Sequence, residues 1–530
     1  MKNKNLYITS LFGTMLIYFS ACTKDLNRYP TNSNTSETQY STVAGYKQVL
    51  AKVYGSYSLV SSNGTGASDV NIAGITDPAT TDFVRAYWNL QELTTDEDVC
   101  AWNDPNLQSF HNLNWTSSNV LIDALYARSL YQITVCNEFI RESSDDKISG
   151  RGFSGQDADD IKHFRAEARF LRAYQYWVLM DLFGNPPFIT ENDPIGKYIP
   201  KQISRSDLFN YVESELKAID GDLVTPKQNE YGRADQAADW ALLARLYLNA
   251  EVYTGTAHYS DAVTYASKVI NAGYSLMSNY SNLFKSDNNA NNPEIILPVA
   301  YDATNSQNYG GTTFLVCSAH GTDPTDNKNY GIPGGGWLGN RSTKNLSQSF
   351  GDYSGNTDKR AIFGPGNLEI NSVLTFTDGI SVYKFSNQTS AGEIPYSPNG
   401  VLCSTDFPLF RLAEMYLVYI EATKRGGDGD QSTALKYFNQ LRQRAYGNSS
   451  GNVSAYSLDD VLKERQRELY WEGFRRTDLI RFGEFTSSSY LWPWKGGVQN
   501  GTGVDNHFNL FPIPSAEIIA NPNLTQNPGY

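Results

Sequence analysis

The sequence predicts a mainly α protein: a scaffold of helical hairpins with a loop-rich irregular half and few short strands. Three observations predict it. Apolar side chains recur at helical spacing through 161–180, 237–250 and 411–422. Each of these segments has a second helical segment nearby in sequence, so the helices come in pairs. Between the pairs, 61–115 and 288–406 are crowded with Gly, Asn, Pro and Thr, and the periodicity fades.

The chain opens with Lys2 and Lys4 ahead of an apolar stretch over 6–19, then Ser20, Ala21 and Cys22. The stretch is too short to cross about 30 Å of hydrocarbon, so 1–21 reads as a secretion signal and not a membrane span. A cysteine after two small residues resembles a lipobox, at which the leader is removed and the Cys22 thiol is acylated; Phe19 departs from the usual Leu. The alternative is ordinary cleavage near Ala21 with a free Cys22.

In 161–180 apolar side chains cover most of the helix circumference, while Lys162, Arg165, Arg169 and Arg172 form one stripe. A helix sandwiched between neighbours with one wet edge is expected, paired with a second over 206–219. In 237–250, Trp240, Leu242, Leu243, Leu246 and Leu248 alternate with Ala238, Ala241 and Ala244, small residues that admit a close neighbour. The partner begins with a cap at Ser260 and stops at Gly273. The third pair is 411–422 and 434–446 across the Gly/Asp-rich turn 426–430. Such hairpins resemble tetratricopeptide units, but no fixed period joins them, so large insertions must separate them.

The formal charge is -13, which argues against nucleic acid as a partner. Aromatic residues make up 13%, with 35 Tyr, a surface suited to neutral polyhydroxylated ligands. Beyond Cys22 stand Cys100, Cys136, Cys317 and Cys403 with no CxxC pair; export would permit disulfides, and three connectivities stay open. No metal or cofactor is implied, because His111, His163, His258, His320 and His507 are dispersed. Each reads as a surface or satisfied core residue.

Four stretches resemble the SusD/RagB family of surface glycan-binding lipoproteins. They are 166–174 (AEARFLRAY) continuing to LFGNPP at 182–187, then 237–248, then 410–417 (FRLAEMYL). The fourth combines 464–469 (ERQREL), 472–476 (EGFRR) and 478–481 (DLIR) with the ending from Pro512-Ile513-Pro514 to Tyr530. The resemblance covers nearly all of the chain after the leader. It implies one mixed domain with a SusD-like N-terminal part over 22–290 and a C-terminal part over 291–530. It further implies outer-membrane attachment through Cys22, a TonB-dependent transporter of the SusC type as partner, and no catalysis. The motifs themselves read as structural: Glu464, Glu468 and Glu472 are spaced four apart among arginines, a pattern suited to ion pairs between packed helices. The closing Pro-rich segment reads as an extended clasp over the body.

A sugar offers an apolar face and a rim of hydroxyls, so a site needs flat aromatics beside short polar side chains. Two loops fit. In 100–105, Trp102 stands next to Asn103 and Asp104, and family members carry a stacking aromatic in the corresponding loop. In 334–341, three glycines precede Trp337, Asn340 and Arg341; the Gly-Lys-Ser/Thr ending of a phosphate loop is missing. Tyr309 is a third aromatic candidate, while Asp82 and Arg85 read as hydroxyl partners or as supports of their own loop. The reading is a glycan-binding protein. The rivals are a glycoside hydrolase using the acids of 94–98, expected instead on an exposed turn in a solvated or capping role, and a peptide-binding helical scaffold.

Overall fold

The computed structural model describes residues 35–530; Cys22 and the leader lie outside the described residues. The chain divides into two compact units, 1–48 and 49–530. In the first, Thr35 opens the short helix Ser36–Gln39 with a reciprocal cap: the Thr38 amide donates to Thr35 Oγ1 at 3.3 Å and the Thr35 amide to Thr38 Oγ1 at 2.9 Å.

The second unit is a stack of helices carrying two small sheets. Its helices include α1 (Phe83–Glu92), α2 (Val120–Glu142), α3 (Gln156–Phe183), α4 (Arg205–Ile219), α5 (Gln236–Leu248), α6 (Tyr259–Ile270), α7 (Gly311–Ala319), α8 (Leu412–Lys424), α9 (Gln431–Tyr446) and α10 (Leu458–Leu469). The three expected hairpins are α3 with α4, α5 with α6, and α8 with α9, and α6 in turn packs against α8. Ala237, Ala238, Ala241 and Ala244 are fully buried where the α5 backbone meets its neighbours. Arg245 clamps α5 to α8: its guanidinium pairs with Glu414 at 2.7 Å and lies 4.1 Å from the centroid of Phe410.

Several local expectations are corrected. The basic stripe of α3 is a wet edge only in part: Lys162, Arg165 and Arg169 are partly exposed, whereas Arg172 is 2% exposed and pairs with Glu191 and Glu215, and Arg169 also binds Glu215 of α4 at 2.8 Å. Helix α6 starts after His258, which makes no side-chain cap, so Ser260 is inside it. Helix α2 lies outside the segments read as helical from the sequence; its Arg128 is buried and bonds backbone oxygens of Val60 and Thr81. Helix α1 lies in a segment expected to be loop, and every one of its residues is buried. The C-terminal clasp contains a short helix, Ser515–Ala520, and is tied down by Asn527 Nδ2 to the carbonyls of Phe183 and Phe511.

The strands are β1 (Asp98–Cys100), β2 (Ile295–Val299), β3 (Asn340–Ser342), β4 (Phe363–Asn367), β5 (Gly379–Val382) and β6 (Phe407–Arg411). They form an antiparallel sheet in the order β1-β3-β5-β4 and a β2-β6 pair. The first sheet splices the two loop-rich segments together, with Asp98 opposite Ser342 and Cys100 opposite Asn340.

The 464–481 motif forms the ionic core beside these sheets. Arg411 pairs with Glu294, Glu468 and Glu472 at 2.9, 2.6 and 2.7 Å. Arg360 pairs with Asp358 and Glu464 at 2.7 Å each and with Glu468 at 3.0 Å. Burial works to raise Glu468, but the guanidiniums of Arg444, Arg411 and Arg360 overcome it and hold the carboxyl at about 2. Isolated charges here would be prohibitive, so the arginines and carboxylates are mutually required.

Candidate functional site

The β1–β3 ladder explains why two loops far apart in sequence share one place. Past the ladder, the Ala101 amide donates to Gly339 O at 2.9 Å, and Trp102 Nε1 donates to Leu338 O at 2.7 Å. Gly339 has φ +139°, and a Cβ there would stand 2.4 Å from Trp102 Nε1, so glycine is what lets the indole approach. His111 secures β1: its Nε2 accepts from the Cys100 amide at 3.1 Å and its Nδ1 bonds Leu93 O at 2.9 Å. Burial lowers the imidazole to about 4, so it stays neutral.

Helix α7 supports both loops. Phe314 packs edge-on against Trp102, with ring centroids 6.0 Å apart, and carries the Arg85 guanidinium 4.8 Å above its own ring. At its other end, Cys317 O accepts the Trp337 amide at 2.6 Å. Trp337 stands 6.3 Å from Tyr309, the rings inclined at 52°. Asn399 Nδ2 donates to the Tyr309 hydroxyl at 2.8 Å.

Trp102 flanks a recess of about 540 Å³, its mouth included, lined among others by Asp77, Arg85, Asp104, Phe314 and Asn340. Arg85 NH1 pairs with Asp77 Oδ2 at 2.8 Å; the Asp77 side chain is 54% exposed, Arg85 10%. Trp102, Trp337 and Tyr309 are all half-buried, each with part of its surface open to solvent. Asn103 and Asp104 are exposed beside Trp102. An apolar ring face next to a carboxylate, a guanidinium and amides can hold a neutral polyol by stacking and by hydrogen bonds at its rim.

Two expected ligand residues are corrected. Arg341 is 1% exposed and spends its donors on the carbonyls of Asp378, Gly339 and Val373 at 2.6, 2.9 and 3.0 Å. It braces the sheet instead. Asn340 is fully buried within β3 and donates to Ser318 Oγ at 3.0 Å, so it frames the recess floor and offers no open rim. Asp82 is also buried: it caps α1 through the Arg85 amide at 2.8 Å and accepts from the Gly311 amide and Asn308 Nδ2, holding the Tyr309 loop. Burial raises its carboxyl above the ordinary range. Asp77, Phe314 and Asn399 escaped the sequence reading. Asp77 stands before Pro in a turn, and no local pattern marks it as facing a tryptophan.

The acids of 94–98 are not on an exposed turn; all are buried. Asp96 takes a two-pronged bond from Arg475 at 2.7 and 2.8 Å, and the Trp471 amide donates to Glu97 Oε2 at 3.2 Å. Asp96 and Glu97 thus tie the 94–98 segment to 471–475 inside the body.

Comparison with known proteins agrees with this architecture. Residues 371–530 match the SusD family, and residues 71–248 match a family described as "Starch-binding associating with outer membrane". The chain is 35% identical over the full length of both sequences to "Starch-binding protein SusD" of Bacteroides thetaiotaomicron. It is 26% identical to a "SusD-like protein" of Bacteroides ovatus, covering 68% of this chain and 74% of that one. Among solved structures, surface glycan-binding protein A of Bacteroides thetaiotaomicron in complex with laminarihexaose superposes with TM-score 0.69 at 20% identity, covering 91% of this chain and 99% of that one. At that identity the likeness concerns the fold. On the full-length match the chain belongs to the SusD family.

Proposed function

We propose that the chain captures a starch-type glucan at the cell surface and hands it, uncut, to a TonB-dependent transporter of the SusC type. The carrying observation is the 52° inclination between Trp337 and Tyr309, with Trp102 packed against Phe314 of the supporting helix α7. Inclined rings suit a chain whose successive sugars turn, as α-linked glucose units do, and suit a flat ribbon poorly. The 35% identity to a protein named for starch binding supports the same substrate class. Stacking at roughly 0.5 to 1.5 kcal/mol per ring and hydrogen bonds at about 1 kcal/mol each work against an association cost of at least about 4 kcal/mol. With burial of the sugar's apolar faces added at about 25 cal/mol per Å², the Kd lies between about micromolar and millimolar, weak enough for release to a second protein.

Anchorage through acylated Cys22 belongs to this reading, as does association with the outer membrane. Asp96 is committed to the buried Arg475 and Glu97 to the Trp471 amide, which supports a binding role. The test is native gel electrophoresis of residues 23–530 through starch, laminarin and other polysaccharides, with reducing ends assayed in parallel. Retardation in starch without new reducing ends is expected; retardation in none of the polysaccharides, or release of sugar, would overturn the proposal. Replacing Cys22 by Ser should move the protein from the membrane to the soluble fraction.

A further inference from the structure

Cys100, Cys136, Cys317 and Cys403 are all buried free thiols. Two of them converge: Cys317 Sγ donates to Val401 O at 3.6 Å, and Cys403 Sγ donates to the same oxygen at 3.5 Å. The elements that carry them are already locked together. The Cys403 amide donates to Thr313 Oγ1 at 3.0 Å, and Thr312 Oγ1 donates to Thr405 O at 2.6 Å, both from α7. Cys136, by contrast, sits beside Gln132 Nε2 at 3.7 Å, and Cys100 near His111.

We propose that Cys317 and Cys403 form a disulfide when the chain folds in an oxidising compartment, and that this bond staples the 399–403 strip to α7. Both ends bear on the aromatic site. Cys317 O holds the Trp337 amide, while the strip carries Asn399, which bonds Tyr309, and Gly400, whose oxygen accepts the Gly334 amide at 2.9 Å. The staple fixes the Trp337 loop relative to Tyr309. Two S–H bonds break and one S–S bond forms; two protons leave, and two electrons reduce the disulfide of a thiol–disulfide oxidant to two thiols. Burial and the neighbouring Cys403 push the Cys317 thiol well up, which leaves little thiolate in the folded state. Closure therefore belongs to folding, while the thiols are still accessible. The proposal depends on export, which the leader implies, and is independent of glycan identity.

The test traps the thiols of the full chain in its native cells with N-ethylmaleimide before lysis, followed by denaturation, a second alkylation and peptide mapping without reduction. A single peptide pair joining Cys317 to Cys403, two hydrogens lighter than its reduced parts, with Cys100 and Cys136 alkylated, is expected. All four alkylated, or a link through Cys100 or Cys136, would overturn it. Cys317→Ser and Cys403→Ser should each remove the cross-link when the chain refolds with oxidised and reduced glutathione; a cross-link surviving in either would overturn the pairing. Reduction of the recovered protein by dithiothreitol should speed proteolytic cutting within 389–401 several-fold, and an unchanged rate would overturn the stapling.

Discussion

Truncating Trp337 to Ala separates a ligand platform from a structural ring. The backbone bond that seats the loop, Trp337 amide to Cys317 O at 2.6 Å, survives the change. The half-buried side chain gives up few interior contacts, so the stability loss should be about 1 kcal/mol or less, the scale of substitutions away from a core. The binding loss is larger. A sugar lying on the indole removes about 50 Å² of apolar area from each partner, worth roughly 2.5 kcal/mol at about 25 cal/mol per Å². Stacking adds about 0.5 to 1.5 kcal/mol. Half of that sum is the working figure, since the half-buried Tyr309 and the exposed Asn399 keep part of the contact; about 1.5 to 2 kcal/mol corresponds to a 10- to 30-fold weaker Kd. Isothermal titration with a maltooligosaccharide measures it, alongside thermal unfolding. A Kd unchanged within twofold, at unchanged Tm, would refute the assignment of Trp337 as platform. A collapse of Tm would show that the ring belongs to the interior.

Gly339→Ala should weaken binding through Trp102 without touching ligand, because the new Cβ would meet Trp102 Nε1 at 2.4 Å on a backbone with φ +139°; a loss of about 1 to 3 kcal/mol in stability accompanies it, and quenched tryptophan fluorescence on titration reads the rest. Arg411→Met leaves Glu294, Glu468 and Glu472 short of their shared cation, so urea unfolding should show a loss of about 3 to 5 kcal/mol. Burial raises Glu92 from its ordinary 4.5 to about 7; the folded state then holds a proton the unfolded chain has lost, and stability falls as pH rises from about 4.5 to 7. Burial and the neighbouring Glu92 raise Glu97 as well, so Glu92→Gln lessens the slope of the pair, stabilising relative to the parent by up to about 3 kcal/mol at pH 8 and by nothing at pH 4. A parent–variant difference independent of pH would refute the protonated state of Glu92.

The helical frame was legible because hairpin helices announce themselves locally. Alanines at 237, 238, 241 and 244 can serve no role so well as close packing, and Asp430 and Gly447 bracket α9 as cap and stop. Helix α1 was not legible, since its buried polar residues such as Gln91 are satisfied by partners distant in sequence. Charges misled for the same reason. Arg172 and Asp96 look solvated until Glu215 and Arg475 appear beside them.

The amino-acid sequence by itself determined the class of protein and the kind of chemistry: paired helices, glycine-rich excursions, and the tryptophans and tyrosine that could meet a sugar. Which of those residues face solvent was decided by the tertiary structure. Asn340 and Arg341 are one and two places from Gly339, yet β3 turns them into the body while the preceding residues meet Trp102. Strand pairing between β1 and β3, and the shared footing of both loops on α7, are long-range contacts whose hydrogen bonds leave no mark in either segment alone.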